Sequence, residues 1–310
     1  MSESADRYLR FREIGGVADL SARMKLRLTG TDRVRFLNGQ VTANVGKLAS
    51  GHAIPACVTT AKGRLCGEVF VRVTGDGLLI DADLSLRESL PTRLEKYLIA
   101  DDVALEDVTE GFRLIHVLGA IAPGADLVAA AAAVDRVHRF GRDGWDLLLT
   151  AESFARVWPA LTTSVVELDA ALLELIRIEA GVPRWGAELD ENTLPPEAGL
   201  DRTHIDYHKG CYIGQEVISR LKSVGHVNRE LTGFISRSGP LQPGARLFAP
   251  GADEKPIGTI TSSAFSFALE KPIALGYLKR GAGFPEVIAR SAEPTGPETI
   301  VALHALPFVS

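Results

Sequence analysis

The stretch Lys209-Gly-Cys-Tyr-Ile-Gly-Gln-Glu216 sets a single cysteine between two glycines and runs into a helical pattern. Val217, Leu221 and Val224 fall at i, i+4 and i+7, with Gly214 placed to open the turn. Cys211 is therefore expected just ahead of a helix N-terminus, two residues from Lys209. The unpaired N–H groups of a helix start and a nearby ammonium both favour a thiolate. The pair reads either as a reactive thiol with its electrostatic partner or as a small buried cysteine beside a tight turn.

A second candidate is Glu179, near the end of the helical run Leu168–Ala180. Leu168, Leu172, Leu175 and Ile176 make one apolar face, and Glu179 follows at the spacing that puts it on that face. A carboxylate there meets both the negative end of the helix dipole and an apolar surface, so it requires a partner. That partner is either an internal cation, Arg184 or Lys209, or a ligand offering two donors. Asn38, Gln40, Thr42 and Asn44 form a polar cluster that either lines a pocket or sits in a solvated loop.

Two further constellations are weaker. His204, His208 and Cys211 have spacings a metal accepts, but no second cysteine joins them and the segment lacks helical periodicity, so no metal site is expected. A Cys–His nucleophile built on Cys211 lacks an assignable orienting group. Gly15-Gly16 and Gly75-Asp-Gly77 lack the strand-to-helix context of a phosphate loop.

The elements that position these residues follow from pattern. Met24–Leu28 alternates as a half-buried strand; a helix carrying Val34, Phe36 and Leu37 follows, with Thr31 or Asp32 as N-cap, and Asn38-Gly39-Gln40 ends it with Gly39 as the C′ residue. Strands are expected over Ala53–Thr60, Leu65–Val73, Leu78–Asp81, Val103–Val108 and Phe112–Leu118, with a hairpin turn at Thr74–Gly77. Helices are expected over Pro91–Ile99 and from Asp126, and a hairpin over Val137–Thr150 turning at Gly141–Gly144. Helices inserted among antiparallel strands suggest a ferredoxin-like α+β layer. Leu194–Ala198 reads as an ordered loop, and the chain after Val224 as a small β-barrel or sandwich with strands at Ile257–Ser262 and Pro272–Leu278.

Composition bounds the function classes. With 310 residues, 46% hydrophobic and 24% charged, the chain suits two or three ordinary globular domains. A net charge of −5 supplies no electrostatic footprint for nucleic acid. Three cysteines, at 57, 66 and 211, make no disulfide framework and suit a reducing compartment. Met1–Arg12 has no apolar export core, and the alanine-rich run Leu127–Val134 is too short to span a bilayer. A cytoplasmic protein without membrane attachment is expected.

The cysteine stretch resembles the signature of the YgfZ-type folate-binding proteins, to which a mitochondrial iron–sulfur assembly factor is related. Arg177-Ile-Glu-Ala-Gly-Val-Pro183, Trp185-Gly186, Glu188-Leu-Asp190 and Pro195-Pro-Glu-Ala198 match in order. So do Asp32–Asn38 with Gln40-Val-Thr42, and the Lys62-Gly-Arg64 turn. That family is similar to the aminomethyltransferase (T-protein) of the glycine cleavage system. The resemblance implies an α+β, three-domain cloverleaf with a ferredoxin-like domain and a C-terminal β-barrel. Its expected division is 1–50 with 155–228 as folate-binding core, 51–154 as ferredoxin-like domain and 229–310 as barrel.

The resemblance also implies site roles. Glu179 takes the position of the pterin-binding glutamate, its carboxylate matching a two-donor edge. T-proteins carry an Asp-Asp step after the Lys-Gly turn, and here that step is Gly67-Glu68, so efficient aminomethyl transfer is not expected. Cys211 and Lys209 become the working thiol and its partner, with Glu179, Lys209, Glu68, Asn38 and Gln40 as folate contacts. Tetrahydrofolate or a derivative is the implied cofactor, and iron–sulfur enzymes or assembly proteins, including tRNA-modifying enzymes, the implied partners. A folate-dependent one-carbon transferase and an adaptor with a vestigial pocket stand as alternatives.

Overall fold

The computed structural model describes residues 3–75, 77–119, 122–251, 255–291 and 298–309. It resolves into two compact units, Met1–Asp169 with Leu200–Ser219, and Ala170–Gly199 with Arg220–Ser310.

The first unit runs α1 (Glu3–Ile14), β1 (Gly16–Asp19), β2 (Met24–Thr29), α2 (Arg33–Gln40), β3 (Ala53–Thr59), β4 (Leu65–Thr74), β5 (Gly77–Ala82), α3 (Ser89–Glu95) and β6 (Ala104–Asp107). It continues with β7 (Arg113–Leu118), α4 (Ala125–Ala130), β8 (Ala133–Arg139), β9 (Arg142–Leu149), α5 (Ala151–Ser164) and β10 (Val166–Glu167). Two five-stranded sheets result, ordered β3-β4-β5-β2-β6 and β10-β1-β7-β9-β8. Their facing surfaces meet through Leu79, Leu114 and Leu148 and through Ala53, Phe70 and Val137.

Between the sheets lies a buried ionic cluster. Arg72 on β4 donates to Asp81 on β5 at 2.6 Å, to Asp146 on β9 at 2.7 Å and to Asp135 on β8 at 3.2 Å. Arg139 adds bonds to Asp81 and Asp146, and His116 Nδ1 lies 2.8 Å from Asp146. Burial raises the Asp81 carboxyl, but Arg139, Arg23 and Arg72 outweigh it and hold the pKa near 2. Buried charges persist only where partners surround them, and here each sheet supplies counter-charges to the other.

In the second unit, α6 (Ala170–Glu179) and the end of α7 (Gln215–Ser223) accompany β11 (Arg229–Ser236), β12 (Arg246–Phe248), β13 (Gly258–Ser266), β14 (Lys271–Lys279), β15 (Glu286–Arg290) and β16 (Glu298–His304). These six strands close a barrel in the order β11-β14-β13-β12-β15-β16. Phe234, Leu247, Ile260, Ala274, Val287 and Val301 fill its interior. Ile178 of α6 packs outside it with Ile273, Leu275 and Phe308.

Most expected strands stand within a residue or two of their sequence limits. Four local readings are corrected. Gly39 lies inside α2, which ends on extended Val41, and Asp32 at its start makes no side-chain cap, accepting instead from Asp102 N. The helix expected over Pro91–Ile99 stops at Glu95, leaving Ile99 exposed. The second hairpin turns at Phe140-Gly141, φ 52° and 73°, because Arg139 pairs directly with Arg142; both central residues of such a two-residue turn need positive φ. The helix after Cys211 buries Ile218 rather than the Val217/Leu221/Val224 stripe, and Val224 is 81% exposed. Helices α1 and α5 had no counterpart in the sequence reading. In the first hairpin turn, Asp76 lies outside the described residues.

Candidate functional site

The cysteine loop is strapped at both ends. Lys209 is buried, and its ammonium donates to the carbonyl oxygens of Asn38 (2.6 Å), Val41 (2.7 Å) and Ala43 (2.6 Å). It thereby caps the carbonyl end of α2, where a cation is favoured. Burial lowers its pKa to about 8, with Asp206 acting in the opposite sense, so it stays cationic at neutral pH. On the far side, Ile213 N donates to Gly39 O and Thr59 Oγ1 to Ile213 O. Gly214 has φ +91° and would carry a Cβ 2.6 Å from Thr60 O, so no other residue fits the entrance to α7. Between the straps, Gly210 and Cys211 are exposed. The thiol is thus presented on a fixed loop ahead of a helix start. Lys209, expected as its electrostatic partner, has all three donors committed to main-chain carbonyls and acts as the loop's anchor.

Asn38 and Gln40 are also committed. Asn38 Oδ1 accepts from Val45 N at 3.0 Å, and Gln40 Oε1 accepts from Arg93 at 3.0 Å. Thr42 Oγ1 donates to His204 O and accepts from Cys57 N. Of that polar cluster, Asn44 lines a cavity of about 470 Å³ whose other walls come from parts of the 43–55 stretch and from residues 203–206.

Glu68 projects from β4 beside His204, with His204 Nε2 3.2 Å from Glu68 Oε1. His204 Nδ1 lies 2.7 Å from Thr203 Oγ1, and the ring meets Phe70 edge-on. Burial pushes the Glu68 carboxyl up, but the His204 hydrogen bond and charge, with Arg23 and Arg139, hold it below its ordinary value. Sequence reasoning weighed His204 only as a metal ligand and missed this pair; 136 residues separate its members. Across the strand pair from Glu68 sits Cys57, fully buried, its thiol pushed far up by burial. Among the described residues, no three His, Cys, Asp or Glu side chains gather as a metal-binding set.

Glu179 ends α6 in the second unit. Gly181 (φ 70°) and Val182 close the helix through N–H bonds to Ile178 O and Arg177 O, a Schellman ending that the Gly-Val-Pro run anticipates. The Glu179 carboxylate is buried and accepts a 2.6 Å bond from Ser266 Oγ, which in turn accepts from Leu269 N. This corrects the expected partners: Arg184 instead pairs with Glu174, and the Lys209 ammonium holds carbonyls of the first unit. Sequence reasoning had no means to select Ser266.

The rest of that motif is an anchor. Arg177 donates to Glu188 (2.9 Å), Ser262 (2.6 Å) and Glu174. A bulge between Ile260 and Ser262 turns both the Thr261 and Ser262 hydroxyls onto Glu188 Oε1, and Tyr277 O–H donates to Glu188 O. Glu188 therefore fastens the Trp185–Asp190 loop to β13 and β14.

This architecture is the fold of the glycine cleavage T-proteins. The aminomethyltransferase crystal structure from Bartonella henselae superposes with a TM-score of 0.83 at 20% identity, over 99% of this chain and 89% of that one. Residues 229–295 match the glycine cleavage T-protein C-terminal barrel domain. The chain is also similar in sequence to the aminomethyltransferase of Streptomyces avermitilis, 25% identical across 98% of this chain and 88% of the relative. A chloroplast protein of Arabidopsis thaliana described as a putative transferase is 26% identical across 86% of this chain and 66% of its own length.

Proposed function

We propose that this chain is a tetrahydrofolate-binding protein whose exposed Cys211 serves the assembly or repair of iron–sulfur clusters, and through them cluster-dependent enzymes such as those that modify tRNA. The observation that carries the reading is the pairing of two features on one T-protein fold. One is a buried carboxylate, Glu179, oriented by Ser266. The other is an exposed thiol on a loop strapped by Lys209.

The carboxylate fits a pterin edge. A carboxylate can meet two parallel N–H donors with its two oxygens, and Ser266 holds this one through Oε1. The Ser266 donor also fixes which way the group faces, which a bidentate contact to two N–H donors requires. Reduced folate would supply the one-carbon chemistry; Glu179 would bind and orient it. Asn38, through its carbonyl, and Lys209 act by holding the Cys211 loop, and Gln40 by pairing with Arg93, rather than by touching folate.

Calorimetric titration of the purified protein with tetrahydrofolate tests the first half. Rescue of cluster-dependent enzyme activity in cells lacking the protein, by wild type but not Cys211→Ala, tests the second. A rescuing alanine variant would remove the thiol from the function.

A second reading, a folate-dependent aminomethyltransferase, is favoured by the name of the Streptomyces relative, which spans 98% of this chain. Against it stands the Gly67-Glu68 step, whose carboxylate is engaged by His204. Methylene-tetrahydrofolate, ammonia and an aminomethyl-lipoyl carrier decide the matter. Turnover on the usual enzymatic scale of roughly 1–1000 per second would promote this second reading over the first.

A further inference from the structure

The cavity in the first unit is a cup with a charged rim. Its lip carries Lys47 and His52, both exposed; its walls are Leu48, Ile54, Pro55 and Ile205, half-buried; its floor is buried Ala43 and His204. About 470 Å³ lies inside the range of roughly 300–1,000 Å³ typical of small-molecule sites.

Three ties make the cup rigid. Lys209 Nζ holds Ala43 O at 2.6 Å on the floor. Arg136 N of β8 donates to Gly51 O beside His52. Thr42 holds the opposite wall through His204 O (2.6 Å) and Asp206 N (3.0 Å). A preformed wall lowers the ordering cost of binding.

The polar groups differ in what they have left to offer. Asp206 is the one carboxylate in the lining, and it already accepts from His208 N and from the Asn44 side chain. Both ring nitrogens of His204 are engaged, by Thr203 and Glu68. Neither the Lys47 ammonium nor the His52 imidazole makes a hydrogen bond or ion pair among the described residues. Asp206 thus already carries two hydrogen bonds and feels the charge of Lys47, while the N–H donors of Lys47 and His52 have no bonded partner among the described residues, over walls that are mostly hydrocarbon.

We infer that this cup binds a small amphipathic carboxylate, its apolar body against Leu48, Ile54, Pro55 and Ile205 and its anion at Lys47 and His52. The inference stands independently of the folate reading, since none of its residues is the proposed pterin contact.

The test uses the full chain with 2-naphthoate and its neutral counterpart 2-naphthamide as probes, titrated by calorimetry. One saturable naphthoate site is expected, with the amide bound at least tenfold more weakly. Lys47→Met should remove that preference by weakening naphthoate about tenfold while leaving the amide unchanged. Ala49→Trp, a substitution on the exposed lip, should obstruct both probes while circular dichroism stays that of the wild type. Equal affinity for the two probes, an unaltered Lys47→Met profile, or no saturable binding at millimolar naphthoate would overturn the proposal. Stoichiometric displacement of naphthoate by tetrahydrofolate would overturn it too, by making the cup part of the folate site. Failure of tetrahydrofolate to bind anywhere would leave the cup untouched and count only against the folate reading.

Discussion

Ser266 Oγ donates a 2.6 Å hydrogen bond to Glu179 Oε1, and both residues are buried. The serine stands at the end of a barrel strand and the glutamate at the end of a helix, so the barrel sets the direction of the helix's terminal carboxylate. Glu179→Gln exchanges an acceptor for a donor and is expected to weaken tetrahydrofolate binding by about 1.5–3 kcal/mol, roughly tenfold or more. Ser266→Ala is expected to weaken it as well while Ser266→Thr, which keeps the hydroxyl, retains more affinity. Calorimetry on the three variants checks this; equal affinities throughout would remove Glu179 from the folate site.

Cys211 is exposed and Cys57 fully buried. Cys211→Ala is expected to change stability by no more than about 0.5 kcal/mol, as for an ordinary surface position. In the folded protein, iodoacetamide should modify Cys211 and spare Cys57 until denaturant is added. Mass spectrometry of the labelled peptides reads both.

Lys209→Met leaves three carbonyl oxygens without their shared donor. Each buried unpaired acceptor costs roughly 1–3 kcal/mol, so a clear fall in the urea midpoint is expected. Lys209→Arg should not restore it, because a planar guanidinium cannot reproduce three converging bonds to one nitrogen. Wild-type stability in the Met variant would show that the loop holds without its anchor.

Arg72 is fully buried among three aspartates. Arg72→Met is expected to destabilise the protein by about 3–5 kcal/mol, the usual penalty for leaving buried charges unpaired. Replacing Arg72, Asp81 and Asp146 together with apolar residues should recover much of the loss, a pattern that guanidinium denaturation of the variants would reveal.

Stability should depend on pH at both extremes. Asp81 is held near 2 and Asp146 well below its ordinary value. Their contribution is complete above the unfolded value near 3.8 and is lost as pH falls through the folded values. Asp135, raised by burial, acts in the opposite direction. At the alkaline end, Lys25 and Lys209 are both lowered to about 8 from 10.5. Between those values the unfolded chain binds more protons, so these two groups make stability rise with pH. Thermal melts from pH 2 to 10.5 check both arms; Lys25→Met should flatten the alkaline one.

Much of the fold is legible along the chain because apolar periodicity is local. The alternation of Met24–Leu28 appears as β2, the Leu168–Ala180 face as α6, and Gly181-Val-Pro as the Schellman ending. The burial of Glu179 follows from helical spacing in the same way, whereas the sequence leaves Cys211 open between a reactive thiol and a buried cysteine, and the fold exposes it. What the sequence could not determine is which polar group meets which. Lys209 reads as a thiol partner at two residues' distance, yet its ammonium closes α2 from 166 to 171 positions away. Glu179 reads as a carboxylate needing an internal cation or a two-donor ligand, yet within the chain a serine 87 residues later holds it. His204 and Glu68 meet only because folding brings the 203–206 segment against β4. Periodicity records how much of each face avoids water, a property every residue carries alone. A buried polar group must find a partner wherever closure of the sheets and barrel brings one, and that choice exists only once the chain has folded.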